Sequence, residues 1–286
     1  MKPVEQRSDL KPEEFVEEYL RKNKPVVLKN AASYWRERWT PQWLKERFGT
    51  RKVVVETDEV FVHDKTQKTI LLAELVDIVL SDSQEFRLRS MSFLSQVPEL
   101  LQEFEEHSDF ERLYLRGVGG PKRAFWITPN GNATLLHHDT FFDNLNVQVF
   151  GRKRFIMMPP SSYKSLYVHL FSESPLDPRQ VPRDKFPRFT GVDLAEAVVE
   201  SGDIMFVPQF WWHFVISEGI CINVNSWIRT TPQAVRAVTS QIPLAPRYFY
   251  RIYHKDLTRQ LISRNIRAAH RVSSFFGRKE ARGAAQ

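Results

Sequence analysis

The stretch Gly131–Arg154 reads GNATLLHHDTFFDNLNVQVFGRKR, placing His137, His138 and Asp139 in succession ahead of an alternating run that begins at Asn144. On a strand, side chains at i and i+2 point to one side. His137 and Asp139 can therefore share an interior face that excludes His138. A second stretch, Ser201–Trp227, reads SGDIMFVPQFWWHFVISEGICINVNSW and brings His213 76 residues after His137. Two imidazoles and one carboxylate can occupy one face of an octahedral metal and leave three positions for cosubstrate and oxygen. This donor set suits Fe(II), and the absence of thiolate partners argues against a structural zinc site. His138 could replace His137, but then no Asp stands two residues on. A lone H-x-D is common near turns, and a histidine flanked by Trp211, Trp212 and Phe214 is common in a core. The pair of segments carries the reading.

Outward from these segments, the short runs RLYLRG, AFWITP, VQVFG, RFIMMPP, DIMFVP and CINVNSW are separated by Gly, Pro and Asn between Glu111 and Trp227. Short strands with such turn signals predict a β-sandwich or barrel. Pro159–Phe189 reads as an excursion of loops and a short helix. Ahead of the core, Ser8-Asp9 with Pro12-Glu13-Glu14 predicts a helix start, running through Phe15, Tyr19 and Leu20. Pro25–Leu28 reads as a buried strand. Thr40-Pro41 opens a helix through Trp43, Leu44 and Phe48 that ends at Gly49. Lys52–Thr57 is a β-branched strand, and Ile70–Leu80 has helical periodicity. Beyond Trp227, Arg247, Arg251, Lys255 and Arg259 recur at i+4 beside a stripe of Phe249, Tyr253, Leu257 and Leu261. That pattern predicts an amphipathic helix with one basic face. The expected organisation is 1–110 as helices and strands packed on a core, 111–229 as the core, and 230–286 as a helical basic extension.

The 286 residues can bury a sizeable core, and 13% aromatic content suits a compact fold rather than extensive disorder. No apolar run reaches the roughly 18 residues needed to span a bilayer, and MKPVEQRSDL lacks the apolar stretch of a signal peptide. Cys221 is the single cysteine, so no intramolecular disulfide or Cys-rich zinc module is possible. An intracellular setting, cytoplasmic or nuclear, is expected. The net charge is +7, but from Arg247 onward there are ten Lys/Arg against two acids. The basicity therefore belongs to the C-terminal segment and not to the presumed site.

Further matches surround the metal signature. They are Gly131-Asn132-Ala133-Thr134, Asn144, Gln148, Gly151-x-Lys153-Arg154 and Pro159-Pro160, then Gly202-Asp203-x-x-x-Val207-Pro208, Trp211-Trp212-His213 and Asn223-x-Asn225-x-Trp227. On these residues, from about Tyr114 to Trp227, the chain resembles the JmjC, cupin-like 2-oxoglutarate oxygenases. Within that family it is most similar to the small-hydroxylase branch, which includes the asparaginyl hydroxylase of hypoxia-inducible factor and the tRNA wybutosine hydroxylase. The resemblance implies a mainly β fold with added helices, built on a double-stranded β-helix (jelly-roll) core. It implies Fe(II) on His137, Asp139 and His213, with 2-oxoglutarate and O2 as cosubstrates. Lys153 would pair with the distal carboxylate, which is costly to bury without a cation. Thr134 and Tyr114 would add hydrogen bonds, and Asn144 and Asn225 would line the cosubstrate pocket.

Two departures from the family pattern bear on that assignment. One extra residue stands between Asp139 and Asn144, so either Asp143 or Asn144 faces inward. Asn144 and Lys153 are an odd nine residues apart, which a bulge near Gly151 would reconcile. Arg152 and Arg154 are rivals of Lys153 for the carboxylate. The polar alternations at Asn144, Asn146 and Gln148 and at Asn223 and Asn225 would elsewhere read as a solvated sheet face. Beside the metal signature, an internal polar pocket is the better reading for Asn144 and Asn225. The expected activity is hydroxylation of a C–H bond, on a protein side chain, with succinate and CO2 as coproducts. The alternatives are a tRNA-base or small-molecule hydroxylase, or a non-catalytic cupin scaffold. A protein substrate, tRNA bound through the basic C-terminal helix, and a homodimer through the C-terminal helices are the partners envisaged.

Overall fold

The computed structural model describes residues 1–57, 66–81, 88–90, 93–109, 122–140, 142–168 and 172–228. The chain divides into two compact units, Met1–Ala237 and Val238–Gln286, and all described residues belong to the first. Tyr114, the RLYLRG run and the basic C-terminal segment lie outside the described residues.

In chain order, β1 (Lys2–Pro3), β2 (Gln6–Arg7) and β3 (Val26–Leu28) are the first strands, with α1 (Pro12–Phe15) between β2 and β3. Next come α2 (Pro41–Phe48), β4 (Lys52–Thr57), β5 (Thr66–Leu71), α3 (Leu72–Leu80), β6 (Leu88–Ser90), α4 (Phe93–Gln96) and α5 (Pro98–Glu106). The core follows with β7 (Lys122–Thr128), β8 (Leu136–His137), β9 (Asp143–Met158), β10 (Glu173–Ser174), β11 (Ala195–Glu200), β12 (Ile204–Val207) and β13 (Trp212–Ile228). β9 and β13 form the spine of the main sheet. β13 pairs antiparallel with β7, β8 and β9, while β9 also pairs with β11 and β12. This is a jelly-roll arrangement, mostly β with few helices, as expected. The N-terminal strands extend it, β1 running parallel to β11, and β3 lying antiparallel to β12 and parallel to β2.

Apolar side chains fall into three layers. Val27, Phe155, Met157, Val199, Met205, Val207 and Val215 pack together on the inward side of these strands. The alternate residues Val147, Phe206 and Val224 face the other way, onto Phe15, Trp35, Trp39 and Phe104 of the N-terminal elements. The excursion after Pro159 places Tyr163, Leu166, Phe186 and Phe189 over Trp212 and Phe214. Each large side chain so buried stabilises the fold by roughly 1.5–3 kcal/mol.

Several local expectations need correction. The first helix begins at Pro12 with Lys11 as an uncapped N-terminus, and it widens into a π turn over Val16–Leu20. Asp9 is instead a turn residue at φ 53°. Thr40 does cap α2, its Oγ1 accepting from the Trp43 N–H at 3.1 Å. Gly49, however, is right-handed at φ −57°. A Cβ there would stand 2.2 Å from the Lys45 carbonyl oxygen and 3.1 Å from the Ala73 Cβ of α3, so the position favours glycine. Ile70 and Leu71 belong to β5, so α3 starts only at Leu72.

The turn of β9 at Gly151 matters most for the site. Gly151 has φ +74°, a conformation that costs other residues dearly. Before it, Asn144, Asn146 and Gln148 pair with Trp227, Asn225 and Asn223. After a register shift, Lys153, Phe155 and Met157 pair with Ser217, Val215 and His213. The bulge exchanges even for odd positions, so Lys153 points to the same side as the asparagine row.

Candidate metal centre

His137 and His213 are direct partners across β8 and β13, and their ring centroids stand 4.2 Å apart. Both rings are oriented in the same way. His137 Nδ1 lies 2.8 Å from the Leu135 carbonyl, and His213 Nδ1 lies 2.9 Å from that of Trp211. A carbonyl only accepts, so each Nδ1 carries a proton, and in the neutral ring each Nε2 then carries the lone pair. This is the tautomer a metal-bound imidazole needs, held by an outer hydrogen bond. Burial pushes the His213 imidazole below its ordinary pKa, against the opposing pull of Asp139, and so favours the neutral form.

Asp139 lies just beyond β8 and not within a strand. Its Oδ2 accepts from the Asn144 amide at 3.1 Å and from the Trp227 indole N–H at 3.0 Å. Among the described residues, no three His, Cys, Asp or Glu side chains close into a ready-made metal cage. The imidazoles meet, while the carboxylate is turned toward its two donors. His138 faces out of the site, packed edge-on to Trp212 at 4.5 Å and near Phe210 at 5.3 Å. Asp143 also turns away, with its Oδ1 accepting from the Gln209 N–H at 2.8 Å. Asn144 is thus the residue that reaches the centre.

Lys153 is 5% exposed, and it donates to Asn223 Oδ1 and lies 5.8 Å from the centre of the Trp126 ring. No carboxylate pairs with it among the described residues, and burial pushes its ammonium down to about 8. The supposed rivals are occupied. Arg152 pairs with Glu218 at 2.7 Å, and Arg154 bridges Glu196 and Glu218. From Lys153 a row of amides runs inward: Asn223 Nδ2 donates to Asn225 Oδ1 at 2.6 Å, and Asn146 Nδ2 donates to the same oxygen at 3.1 Å. The side-chain oxygens of Asn144, Asn146 and Gln148 are buried and have no hydrogen-bond partner among the described residues. Such atoms are costly unless a ligand meets them.

Thr134 lies beside β13, its Oγ1 accepting from the Val215 N–H at 3.0 Å. Two further hydroxyls are buried on this sheet: Ser217, the cross-strand partner of Lys153, and Thr128, 2.8 Å from Ser217. Neither was singled out from the sequence, and nor were Trp126, Asn146 or Trp227 as a partner of Asp139. The pattern Asn223-x-Asn225-x-Trp227 holds the missing signal, since its three residues share one strand face.

Residues 12–234 match the family described as the Cupin-like domain. The chain belongs to the cupin-like JmjC family. This cupin-like chain is 27% identical over 238 residues to a lysine-specific demethylase, JMJ30, of Arabidopsis thaliana, covering 79% of this chain and 54% of that protein. It is 26% identical over 238 residues to tRNA wybutosine-synthesizing protein 5 of Gallus gallus, covering 74% and 73%. It is 22% identical over 256 residues to the human bifunctional peptidase and (3S)-lysyl hydroxylase JMJD7, covering 76% and 80%. The cupin-like match thus spans about half the length of the demethylase. Names of demethylation and of hydroxylation both occur among these relatives, so similarity does not single out the small-hydroxylase branch.

Proposed function

We propose that this protein is an Fe(II)- and 2-oxoglutarate-dependent oxygenase that hydroxylates a C–H bond of a protein side chain. The observation that carries the reading is the pair of facing imidazoles, each with Nδ1 tied to a carbonyl, set on the same face as the buried Lys153 ammonium. The donor set fits the metal: two neutral imidazole nitrogens and a carboxylate with one oxygen already held. The orphaned amide oxygens and uncompensated ammonium fit an anionic cosubstrate with further polar groups.

In this reading His137, Asp139 and His213 hold the metal, which when bound supplies the redox chemistry that couples O2 and 2-oxoglutarate to C–H oxidation, as is general in the family. The chain's own residues bind, orient and exclude water. Lys153 holds the distal carboxylate, and the asparagine row, including Asn144 and Asn225, presents fixed dipoles to the rest of the cosubstrate. Phe155, Met157, Met205, Val207 and Val215 provide the apolar wall that keeps bulk water out. Tyr114 is a further candidate for the distal carboxylate. The lysine-directed names of the Arabidopsis and human relatives support a protein side chain as substrate, with hydroxylation preferred because the human protein aligns over most of its length. The chicken relative's name supports a tRNA base as the second reading.

The test is an anaerobic titration of apo-protein with Fe(II) and then 2-oxoglutarate, on wild type, His137→Ala, His213→Ala and Lys153→Ala. A visible charge-transfer band in wild type is expected, lost in both histidine variants and needing about 100-fold more 2-oxoglutarate in the lysine variant. Folded wild type that binds Fe(II) without chelating 2-oxoglutarate would overturn the assignment in favour of a binding scaffold. Turnover with peptide and tRNA pools, read as gain of one oxygen atom, then separates the substrate classes.

A further inference from the structure

Two N–H donors from different side chains converge on one oxygen of Asp139. Asn144 lies on β9 and Trp227 on β13, the two residues are register partners, and both reach Oδ2, at 3.1 and 3.0 Å. A carboxylate has about four lone-pair sites on two oxygens and, left to itself, can chelate a metal through both. A second bound oxygen would take one of the three coordination positions that a bidentate cosubstrate and O2 require. Saturating Oδ2 with two donors, one an amide and one an indole, leaves Oδ1 as the better metal donor.

We infer that Trp227 and Asn144 are positioning residues that make Asp139 a one-oxygen ligand and so keep the third position open. The inference rests on the metal-site reading above. It adds a role to Asn144 beyond lining the cosubstrate pocket. Trp227 is half-buried at the far end of β13, away from Trp211 and Trp212, so its ring is not needed to hold the His213 turn. The indole offers a rigid, neutral N–H with no acceptor of its own to compete.

The test uses Co(II) as a spectroscopic probe of the 286-residue chain, comparing wild type with Trp227→Phe, Asn144→Ala and the double variant. Trp227→Phe keeps an aromatic ring and removes only the donor. Each single variant is expected to bind Co(II) about 10-fold more weakly, and the double variant about 100-fold, within the range for outer hydrogen-bond partners. The shape and intensity of the Co(II) visible band should change as the second carboxylate oxygen enters. A Trp227→Phe protein whose melting temperature falls while its Co(II) affinity and band match wild type would overturn the inference and leave the triad intact. Wild type that binds no Co(II), or binds it with His137→Ala unaffected, would remove the triad reading itself. Should Trp227→Phe fail to fold, Asn144→Ala reads the same oxygen from the other strand and decides the question by the same band.

Discussion

Lys153 shows what the presumed site costs the fold. Its ammonium is buried, is held by the neutral Asn223 amide, and titrates near 8 instead of the usual 10.5. Between those two values the unfolded chain binds the extra proton and the folded chain does not, so stability rises with pH across that window. Below about pH 8 the penalty is fully present, on the order of 3 kcal/mol. Lys153→Met should therefore stabilise the apo-protein at pH 7 by up to about that amount, less any packing mismatch. The gain over wild type should shrink as pH rises from about 8 to 10.5. Urea denaturation at a series of pH values measures it; an unchanged or lowered midpoint at pH 7 would show that the ammonium is compensated in the folded protein. The same substitution should abolish the high-affinity binding of 2-oxoglutarate, a stability gain bought with function.

At the scale of elements, Gly151 governs which side chains share the interior. A Cβ there would stand 2.1 Å from the Ile220 carbonyl oxygen, and φ +74° strains any side chain besides. Gly151→Ala should cost about 2–4 kcal/mol and weaken 2-oxoglutarate binding, because relaxing the bulge rotates Lys153 away from Asn223. A denaturation midpoint equal to wild type would contradict this. The same element shows how far the site was legible in advance. His137, Asp139 and His213 stand out because metal ligation demands particular residue types at strand spacing. Asn144 and Lys153 have opposite parity, and no periodicity rule brings them together without a bulge. Ser217 shows the limit of residue type alone: that its hydroxyl stands opposite Lys153 depends on register between β9 and β13, a long-range property. Likewise the Asp139–Trp227 bond joins residues 88 apart and becomes visible only once β9 and β13 are paired. Helix positions were readable from Pro12 and Pro41, but the π turn after Phe15 left no local mark.

Over the first compact unit, the N-terminal elements are part of the barrel's architecture. β3 continues the main sheet beside β12, and Phe15 meets Phe206 edge-on at 4.9 Å. Trp35 and Trp39, fully buried, lie between those elements and the outer face of β7 and β9. Phe15→Ala should then cost about 3–5 kcal/mol. It should lower the whole unit's stability in one transition, with no early melting of residues 1–109. Calorimetry together with near-ultraviolet dichroism checks this: two separated transitions would mean that the N-terminal elements fold on their own.

The adjacent histidines of the first segment have one more implication. His137 faces His213 while His138 packs on Trp212, so neighbouring positions of like chemistry belong to opposite layers. A slip of one residue would still offer an imidazole to His213, but Thr140 would stand where Asp139 had been. The chain resists this error with bonds on both sides of the pair. Thr134 N–H donates to the Val215 carbonyl at 2.8 Å, His138 N–H to that of Ser172 at 2.9 Å, and Phe210 N–H to that of Asp139 at 3.0 Å. A misthreaded molecule would thus look almost intact and carry a two-histidine centre with no anionic ligand. On the proposed metal-site reading, the fidelity of one backbone alignment, more than the supply of histidines, decides whether a newly made copy can hold the metal.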